Sequence, residues 1–275
     1  MSGDILVANN LVKTYHQRSG KLGFGSTLVK ALDNVSVSLR EGTTLAIVGE
    51  SGSGKSTLAR CLLQLQPLDS GEVLFAGQDL SKIKGAALRA MRKNLQMVFQ
   101  DPFASLNPRM RVGEIVGEGL LIHGLGSSAE QQQRVIAMLK RVGLTEADMQ
   151  KYPHEFSGGQ RQRIGIARAL VLQPKVVVCD EPVSALDVSI QAQILLLLKE
   201  LQQEMALSYM FISHDLRVVR HIADDIVVMN KGKVVEAGAV VDIYQKPQHE
   251  YTQNLLAAIP GKKTGKKNST DAVSA

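Results

Sequence analysis

Long apolar runs are missing from this sequence. Hydrophobic residues make up 44% of its 275 residues, but a stretch such as 194–198 ends at once in Lys199 and Glu200, far short of the ~20 residues that cross a bilayer. The first four residues also lack the basic region and apolar core of a signal peptide. We therefore expect a soluble globular protein, built as one large domain or two closely joined lobes.

Cysteine is scarce as well. The sequence has two cysteines, Cys61 and Cys179, and each lies inside an apolar pattern that is typical of a buried strand or helix. Buried, unpaired cysteines are usual in proteins of a reducing compartment. We therefore expect reduced thiols and a cytoplasmic protein.

A large excess of charge is lacking in most of the chain. The net charge is +6, but the segment 261–275 supplies four of the positive charges through Lys262, Lys263, Lys266 and Lys267. This basic tail has no apolar anchors, so we expect it to be disordered. The remainder is mildly basic, which suits a nucleotide or a membrane surface and gives little support to nucleic-acid binding.

Apolar residues alternate between the spacing of strands and that of helices. The pattern predicts strands at 5–10, 35–39, 72–75, 95–99, 175–179, 209–212, 226–229 and 234–236, and helices at 131–142, 158–172, 190–204 and 216–223. The first two strands read as half-buried antiparallel strands, with an exposed loop predicted at 16–30 between them. Residues 112–172 form a mainly helical block, and the later alternation of strand and helix predicts a parallel sheet covered on both faces.

One stretch has the pattern of a phosphate-binding loop. It follows the apolar run 44–48, leads into the helical pattern 58–63, and consists of Gly49, Glu50, Ser51, Gly52, Ser53, Gly54, Lys55, Ser56 and Thr57. Glycines let the backbone curl with its N–H groups inward, and the following helix adds its positive end. We expect Lys55 to reach the β- and γ-phosphates and Ser56 to bind Mg²⁺. A flexible turn is the alternative, but the full spacing favours the phosphate loop.

Two adjacent carboxylates end the apolar strand that begins at 175. Asp180 would then lie beside the phosphate loop, where its carboxylate can hold Mg²⁺. Glu181, the next residue, can orient and deprotonate an attacking water. The same pair could serve as an ordinary strand end before the turn at Pro182, but a phosphate loop upstream favours the catalytic interpretation.

A second motif of the phosphate-binding type lies at the start of the helix predicted at 158–172. Its residues are Ser157, Gly158, Gly159 and Gln160. Ser157 is placed as an N-cap, and two glycines leave backbone N–H groups free for an anion. A plain capped helix is the alternative, although glycine in its first turn would cost ~1 kcal/mol per residue.

These motifs occur in an order that resembles the nucleotide-binding subunits of ABC transporters. The resemblance also includes the motifs Ser184, Ala185, Leu186 and Asp187, and Ser213, His214 and Asp215, and it covers about residues 5–260. It implies an α/β fold of the P-loop NTPase class, with a mainly parallel central sheet, an N-terminal antiparallel β part and an inserted helical lobe. The ATP-binding domain is accordingly expected at 1–260, with the helical lobe at about 101–172.

The resemblance also implies roles for four further residues. Tyr15 would stack on adenine, although a tyrosine after a strand often serves in packing. Gln100 would sense Mg²⁺ and the γ-phosphate at the joint between the lobes. His214 would contact the γ-phosphate, and Asp187 would lie between two copies of the fold, unless it is only a helix N-cap. ATP and Mg²⁺ are thus the expected cofactors, with Glu181, His214, Gln100 and Lys55 as the catalytic set.

The family works as a head-to-tail pair, so a single chain is expected to carry two incomplete half-sites. The implied partners are permease subunits, an identical or homologous ATP-binding subunit and, indirectly, an extracytoplasmic solute-binding protein, with no nucleic acid. The implied location is the cytoplasmic face of the inner (plasma) membrane, as a peripheral protein. Phe156, Val183 and Cys179 depart from the residues usual in the family, but none of these positions carries a catalytic group.

The branch of the family is indicated by the segments 100–109, 152–156 and 249–260. They resemble the dipeptide, oligopeptide and nickel importers, and the chain is also similar to the second half of tandem peptide-importer ATPases. Many members continue into a cysteine-bearing extension that is absent here, so peptide import is expected first and nickel or metal-chelate import second. A soluble ABC-type ATPase would carry a coiled-coil insertion or two ATPase domains, and a non-hydrolysing module would lack Glu181 or His214; neither description fits.

Overall fold

The computed structural model describes residues 3–18 and 26–259. Strands in this part of the chain are β1 (Asp4–Arg18), β2 (Ser26–Arg40), β3 (Thr44–Val48), β4 (Ser70–Phe75), β5 (Gln78–Asp79), β6 (Leu95–Val98), β7 (Val176–Asp180), β8 (Ser208–Ser213), β9 (Asp225–Asn230) and β10 (Lys233–Ala239). The helices are α1 (Lys55–Leu62), α2 (Gly85–Arg92), α3 (Pro102–Ser105), α4 (Val112–Ile122), α5 (Ser128–Arg141), α6 (Gly158–Leu170), α7 (Val188–Met205), α8 (Leu216–Ile222), α9 (Val240–Gln245) and α10 (Glu250–Ala257). Short 3₁₀ turns occur at Leu80–Lys82, Glu146–Gln150 and Pro153–Glu155.

Two sheets organise these elements. An antiparallel sheet has the order β2-β1-β4-β5, and a six-stranded sheet has the order β10-β9-β3-β8-β7-β6. The second sheet is parallel from β9 to β6, and β10 joins its edge antiparallel to β9. Every residue of β3, β7 and β8 is buried, as expected for parallel strands covered on both faces. The expected α/β architecture is confirmed.

The order of the parallel strands brings the sequence motifs together. β8 lies between β3 and β7, with Val48 opposite Ser213 and Asp180 opposite Ile212. The carboxyl ends of these strands therefore meet at one edge of the sheet, where ligands bind in open α/β folds. The phosphate loop follows β3 at this edge, and β6, which ends two residues before Gln100, pairs with β7.

Helices α3 to α6 occupy the chain between β6 and β7. The apolar faces of α4 to α6 share one buried cluster with side chains of the parallel sheet, among them Ile115, Leu120, Leu139 and Ile164 on the helices and Tyr209 on β8. The predicted helices at 131–142 and 158–172 correspond to α5 and α6. This packing fixes the position of the start of α6, which carries Ser157.

The exposed loop predicted at 16–30 is wrong in part. β1 continues to Arg18 and β2 begins at Ser26, and the two strands pair in register, with Tyr15 opposite Val29. Polar composition suggested a loop, but a neighbouring strand satisfies the backbone N–H and C=O groups whatever the side chains are. Residues 19–25 and the basic tail 261–275 lie outside the described residues.

Both cysteines are buried, as expected. Burial raises the pKa of the Cys61 thiol to about 11 and raises that of Cys179 further, because Cys179 is fully enclosed. Both thiols therefore stay protonated near neutral pH. In the described ranges, none of the helices combines the length and hydropathy that spanning a membrane requires.

Candidate active site

A cleft of about 900 Å³ opens at the carboxyl edge of the parallel sheet. Its walls include the predicted residues Tyr15, Gln100, Glu181 and His214 together with most of the phosphate loop. The walls also include residues that the sequence did not single out: Val29, Lys30, Ala31, Lys231 and Leu255. Three of these belong to β2, and two of them, Val29 and Lys30, fall in the stretch 16–30 that is predicted as a loop.

Two glycines of the phosphate loop are required by its path. Gly49 has φ +149°, and a Cβ there would lie 2.1 Å from the carbonyl oxygen of Met229. Gly54 has φ +106°, and a Cβ there would lie 2.3 Å from the carbonyl oxygen of Ala31. Any other residue would be strained and would collide with backbone at these positions. The loop is therefore packed between the backbones of β2 and β9.

Lys55 places a buried cation inside this loop. Its side chain donates from Nζ to the carbonyl oxygens of Gly49 and Glu50, each at 2.8 Å, and the residue is 5% exposed. Burial lowers the pKa of the Lys55 ammonium, while the carboxylates of Glu181 and Asp180 act in the opposite direction. The loop thus holds a positive charge where an anionic ligand would meet it.

Ser56 and Asp180 form an oxygen pair beside Lys55. The hydroxyl of Ser56 donates to Oδ1 of Asp180 at 3.1 Å. Burial raises the pKa of the Asp180 carboxyl, and the hydrogen bond from Ser56 opposes this rise. A hydroxyl and a carboxylate are the ligand types that Mg²⁺ prefers. The pair therefore offers Mg²⁺ two oxygen ligands, and an ion held there would take water and substrate oxygens as the others.

The carboxylate of Glu181 contacts two other predicted residues, His214 and Gln100. Its Oε2 lies 2.9 Å from Nδ1 of His214 and accepts a hydrogen bond from Nε2 of Gln100 at 3.2 Å. Its backbone has φ +47°, which is uncommon for a non-glycine residue and costs free energy. The Glu181 N–H donates to the carbonyl oxygen of Ile212 at 3.0 Å, which anchors this turn to β8. Neighbouring strands therefore hold the carboxylate in a defined direction.

Tyr15 lies near the end of β1 and is half-buried. Its ring lines the cleft on the side formed by β2, and the ammonium of Lys13 lies 5.8 Å from the ring centroid. The aromatic residue therefore lies at the margin of the cleft, and its stacking on a base stays a prediction.

The motif at 157–160 lies outside this cleft. Ser157 caps α6, because its hydroxyl accepts the N–H of Gln160 at 3.3 Å while Oε1 of Gln160 accepts the N–H of Ser157 at 3.0 Å. Both residues are exposed. A Cβ on Gly159 would lie 2.6 Å from Cγ2 of Ile190, so this glycine also serves the packing of α6 against α7, a reason that the sequence did not reveal.

Asp187 is also exposed and lies outside the cleft. It occupies the N-cap position of α7, but its side chain makes no capping hydrogen bond. The capping alternative for this aspartate therefore lacks its usual contact. Together with Ser157, Asp187 is part of a surface that one chain alone does not bring to its own phosphate loop.

Tyr251 is a contact residue of the loop that the sequence did not identify as one. Its hydroxyl lies 3.1 Å from the backbone nitrogen of Glu50, so that α10 touches the rim of the phosphate loop. The sequence of 249–260 resembles one branch of a family, and that resemblance assigns the segment no local role. Because Tyr251 and Glu50 are 201 residues apart in the sequence, the phosphate-loop motif does not reveal this contact.

Comparisons with known proteins agree with this geometry. The sequence pattern of the family described as ABC transporter matches residues 32–184. The glutathione import ATP-binding protein of Pectobacterium atrosepticum is 50% identical over 93% of this chain, which spans 41% of that relative. The oligopeptide transport ATP-binding protein of Streptococcus mutans is 53% identical over 84% of this chain and 76% of the relative. The dipeptide transport ATP-binding protein of Escherichia coli is 51% identical over 93% of this chain and 76% of the relative.

Solved structures give the same picture. A dimeric ATP-binding cassette, MJ0796, in a post-hydrolysis state bound to ADP and Pi, is 31% identical and covers 86% of this chain and 98% of its own, with a TM-score of 0.75. The protein cbiO1 of Clostridium perfringens, part of an ABC transporter complex, is 30% identical, with a TM-score of 0.75. The match covers 88% of this chain and 91% of cbiO1. The similarity therefore extends over nearly all described elements.

Proposed function

The chain belongs to the ABC transporter family, and we propose from this that it binds and hydrolyses ATP to drive peptide import through a partner permease. The observation that carries the proposal is the convergence of Lys55, Asp180 and Glu181 at one edge of the sheet. We place the protein at the cytoplasmic face of the inner (plasma) membrane, as a peripheral subunit. We keep 1–260 as the bounds of the ATP-binding domain, with the helical lobe at about 101–172.

The chemistry assigns a separate task to each group. The N–H groups of the loop and the Lys55 ammonium bind the phosphates, and Tyr15 stacks on the adenine. Ser56 and Asp180, with Gln100, would hold Mg²⁺, which neutralises phosphate charge when bound. Glu181 accepts the proton of the attacking water, while Gln100 and His214 hold its Oε2.

Each chain supplies halves of two sites. The cleft contains the phosphate loop but none of Ser157, Gly158, Gly159, Gln160 or Asp187. We propose that these residues complete the cleft of a second ATP-binding subunit, identical or homologous, in a head-to-tail dimer. A similar cassette is dimeric in a post-hydrolysis state, which supports the pairing of two such subunits.

Ser157→Arg tests this division of labour. We expect the variant to abolish hydrolysis in the dimer while ATP binding to the monomer stays within about 2-fold of the parent, because Ser157 serves the partner's nucleotide. Loss of the cap alone would cost ~1 kcal/mol of stability. Steady-state ATPase activity and nucleotide titration of the monomer measure the two effects.

A matched control exists in α5. Ser127 caps that helix in the same way, with its hydroxyl accepting the N–H of Glu130 and its own N–H bound to the Glu130 carboxylate. Ser127→Arg should therefore carry the capping loss without the loss of hydrolysis. If Ser157→Arg weakened monomer binding as much as hydrolysis, the residue would belong to its own site or to folding.

The permease is proposed to contact the surface at 107–118. Two grooves border α4: the first, of about 850 Å³, is lined in part by residues of 107–118, and the second, of about 310 Å³, adjoins this segment at Glu118. The second groove exposes the apolar side chains Phe99, Leu65 and Ile122, which are 41%, 54% and 56% exposed. Phe99 adjoins Gln100, so closure around a γ-phosphate would move this surface. A short cytoplasmic helix of the permease is the occupant that fits an apolar groove of this kind.

Arg109→Glu is expected to uncouple ATP hydrolysis from peptide uptake. Arg109 is exposed within 107–118, so reversing its charge should leave ATPase activity of the isolated subunit within about 2-fold while peptide uptake falls at least about 10-fold. Uptake into proteoliposomes and ATP turnover, measured on the same preparation, give the comparison. Arg134→Glu, an exposed arginine of α5 outside 107–118, is the control; normal uptake with Arg109→Glu would place the coupling surface elsewhere.

The choice of cargo is tested in cells that depend on imported peptide. Removing the chain should abolish growth on peptides as an amino-acid source while nickel uptake is unchanged. The oligopeptide, dipeptide and glutathione import names of the relatives support peptide import over the nickel alternative. Loss of nickel uptake with normal peptide use would reverse this choice, and copurification with nucleic acid in place of membrane subunits would favour a soluble ABC-type ATPase.

A further inference from the structure

The segment 249–260 has a place in the fold that its resemblance to a transporter branch does not explain. Residues Glu250–Ala257 form α10, which packs against the parallel sheet next to β3 and β9. Leu256 is buried in that cluster, with Tyr251 and Leu255 packed against it. Because β3 leads directly into the phosphate loop, α10 lies beside the loop and Leu255 also lines the cleft.

The start of α10 is fastened to β10 by Glu236. Its Oε1 accepts the N–H of Gln248 at 2.7 Å, and its Oε2 accepts the N–H of His249 at 3.1 Å. Burial raises the pKa of the Glu236 carboxyl, but hydrogen bonds, with that from Gln248 the strongest, outweigh burial and leave the pKa lowered. The carboxylate is therefore charged at neutral pH and binds both N–H groups.

His249 continues this anchorage into the first turn of the helix. Its Nδ1 accepts the N–H of Tyr251 at 3.1 Å, which makes it the N-cap of α10. The backbone of Tyr251 is thus fixed from both the β10 side and the cap. A tyrosine held in this way can place its hydroxyl at a set position with little loss of conformational entropy.

The Tyr251 hydroxyl meets one particular peptide unit of the loop. It accepts the N–H of Glu50 at 3.1 Å, and the carbonyl oxygen of the same peptide, that of Gly49, accepts Nζ of Lys55 at 2.8 Å. The Gly49–Glu50 peptide is therefore held on both of its edges. A rotation of this peptide would remove an acceptor of the Lys55 ammonium and change where that charge lies.

We propose that Tyr251 is a positioning residue that holds the Gly49–Glu50 peptide, and through it Lys55, in the orientation that binds nucleotide phosphates. The inference rests on the proposed ATP-binding function of the same cleft. It gives α10 a task in nucleotide affinity that is separate from the chemistry at Glu181. On this proposal, Glu236 and His249 hold the start of α10 so that Tyr251 stays at the phosphate loop.

Tyr251→Phe tests the proposal because it removes the hydroxyl and keeps the ring. We expect the dissociation constant for ADP, measured by calorimetry on the full chain, to rise about 2- to 10-fold, the range for one lost hydrogen bond. ADP is the probe because it binds without turnover. With ATP, the KM should rise while kcat at saturation stays within about 2-fold, since Tyr251 does not touch the reacting atoms.

A second measurement separates positioning from general stability. The amide hydrogen of Glu50 should exchange faster in Tyr251→Phe in the absence of nucleotide, because its acceptor is gone. Tyr244→Phe is the matched control: its hydroxyl donates to the carbonyl oxygen of Leu216 in the same apolar cluster, and Tyr244 is not among the residues that line the cleft. This control should lower the melting temperature but leave ADP affinity and Glu50 exchange unchanged. Glu236→Gln, which loosens α10 without removing the hydroxyl, should weaken ADP binding in the same direction.

The outcomes are distinguishable. Parental ADP affinity and Glu50 exchange in Tyr251→Phe would overturn the proposal while leaving ATP binding by the cleft intact. Equal losses of affinity in Tyr251→Phe and Tyr244→Phe would also overturn it, because the effect would then follow stability. A parent protein that binds neither ADP nor ATP would refute the proposed function itself before any variant is measured.

Discussion

Glu181→Gln is expected to bind ATP, to accumulate as an ATP-bound dimer, and to turn over ~10²- to 10⁴-fold more slowly than the parent, the loss typical of a missing general base. Glutamine has the size of glutamate and can still accept hydrogen bonds, so the contacts with Gln100 and His214 can persist. What it lacks is a basic oxygen for the proton of the water. Binding and chemistry should therefore separate in this variant.

Single-turnover hydrolysis and gel filtration with Mg-ATP measure the two effects together. Asp180→Asn is the informative contrast, because Asp180 accepts from Ser56 and is assigned to the metal. That variant should need more Mg²⁺ for the same rate, whereas Glu181→Gln should not be rescued by Mg²⁺. A Glu181→Gln protein with the parental rate and no dimer would leave Glu181 a strand-end residue and move the base elsewhere.

Lys55→Ala is expected to lose ATP turnover mainly through binding, with affinity for ATP lowered at least about 10²-fold. The estimate follows from the loss of charge-assisted hydrogen bonds, each contributing about 1.5–3 kcal/mol. The structure adds a second cause, because Lys55 also binds the carbonyl oxygens of Gly49 and Glu50. Without the ammonium, the loop loses an internal support as well as the charge that meets the phosphates.

Nucleotide titration, beside thermal unfolding in the absence of nucleotide, separates these two causes. Lys82→Ala is the matched control, because Lys82 is an exposed lysine whose ion pair with Asp79 lies outside the cleft. It should bind ATP normally. Near-parental hydrolysis by Lys55→Ala would refute the assignment of the loop, and a collapse of the melting temperature would show that the loss is one of folding.

The phosphate loop and the pair Asp180 and Glu181 could be predicted because their signals are local. A glycine at a position where φ is positive and backbone lies within 2.1–2.3 Å of a would-be Cβ has no substitute. An apolar run of strand length that ends in carboxylates also places them at the edge of a parallel sheet. For these residues the type, the spacing and the neighbouring pattern together specify the location.

The roles of residues in β2 and α10 could not be read in this way. The polar stretch at 16–30 resembled a loop, yet cross-strand pairing extends β1 and β2 and brings Val29 and Lys30 to the cleft. Gly159 looked like an anion site, yet its Cβ position is also filled by Ile190 of another helix. In each case the deciding contact comes from an element far away in sequence.

The charged residues, the turns that need glycine and the runs that can be buried are all readable from the sequence, because these properties belong to a residue and its near neighbours. By contrast, the contacts of His214 and Gln100 with a single oxygen of Glu181, and that of Tyr251 with Glu50 across 201 residues, arise from the folded arrangement of distant elements. Such contacts depend on strand order and helix packing, where many distant side chains act together. The position of Ser157 outside the cleft of its own chain follows from the same packing.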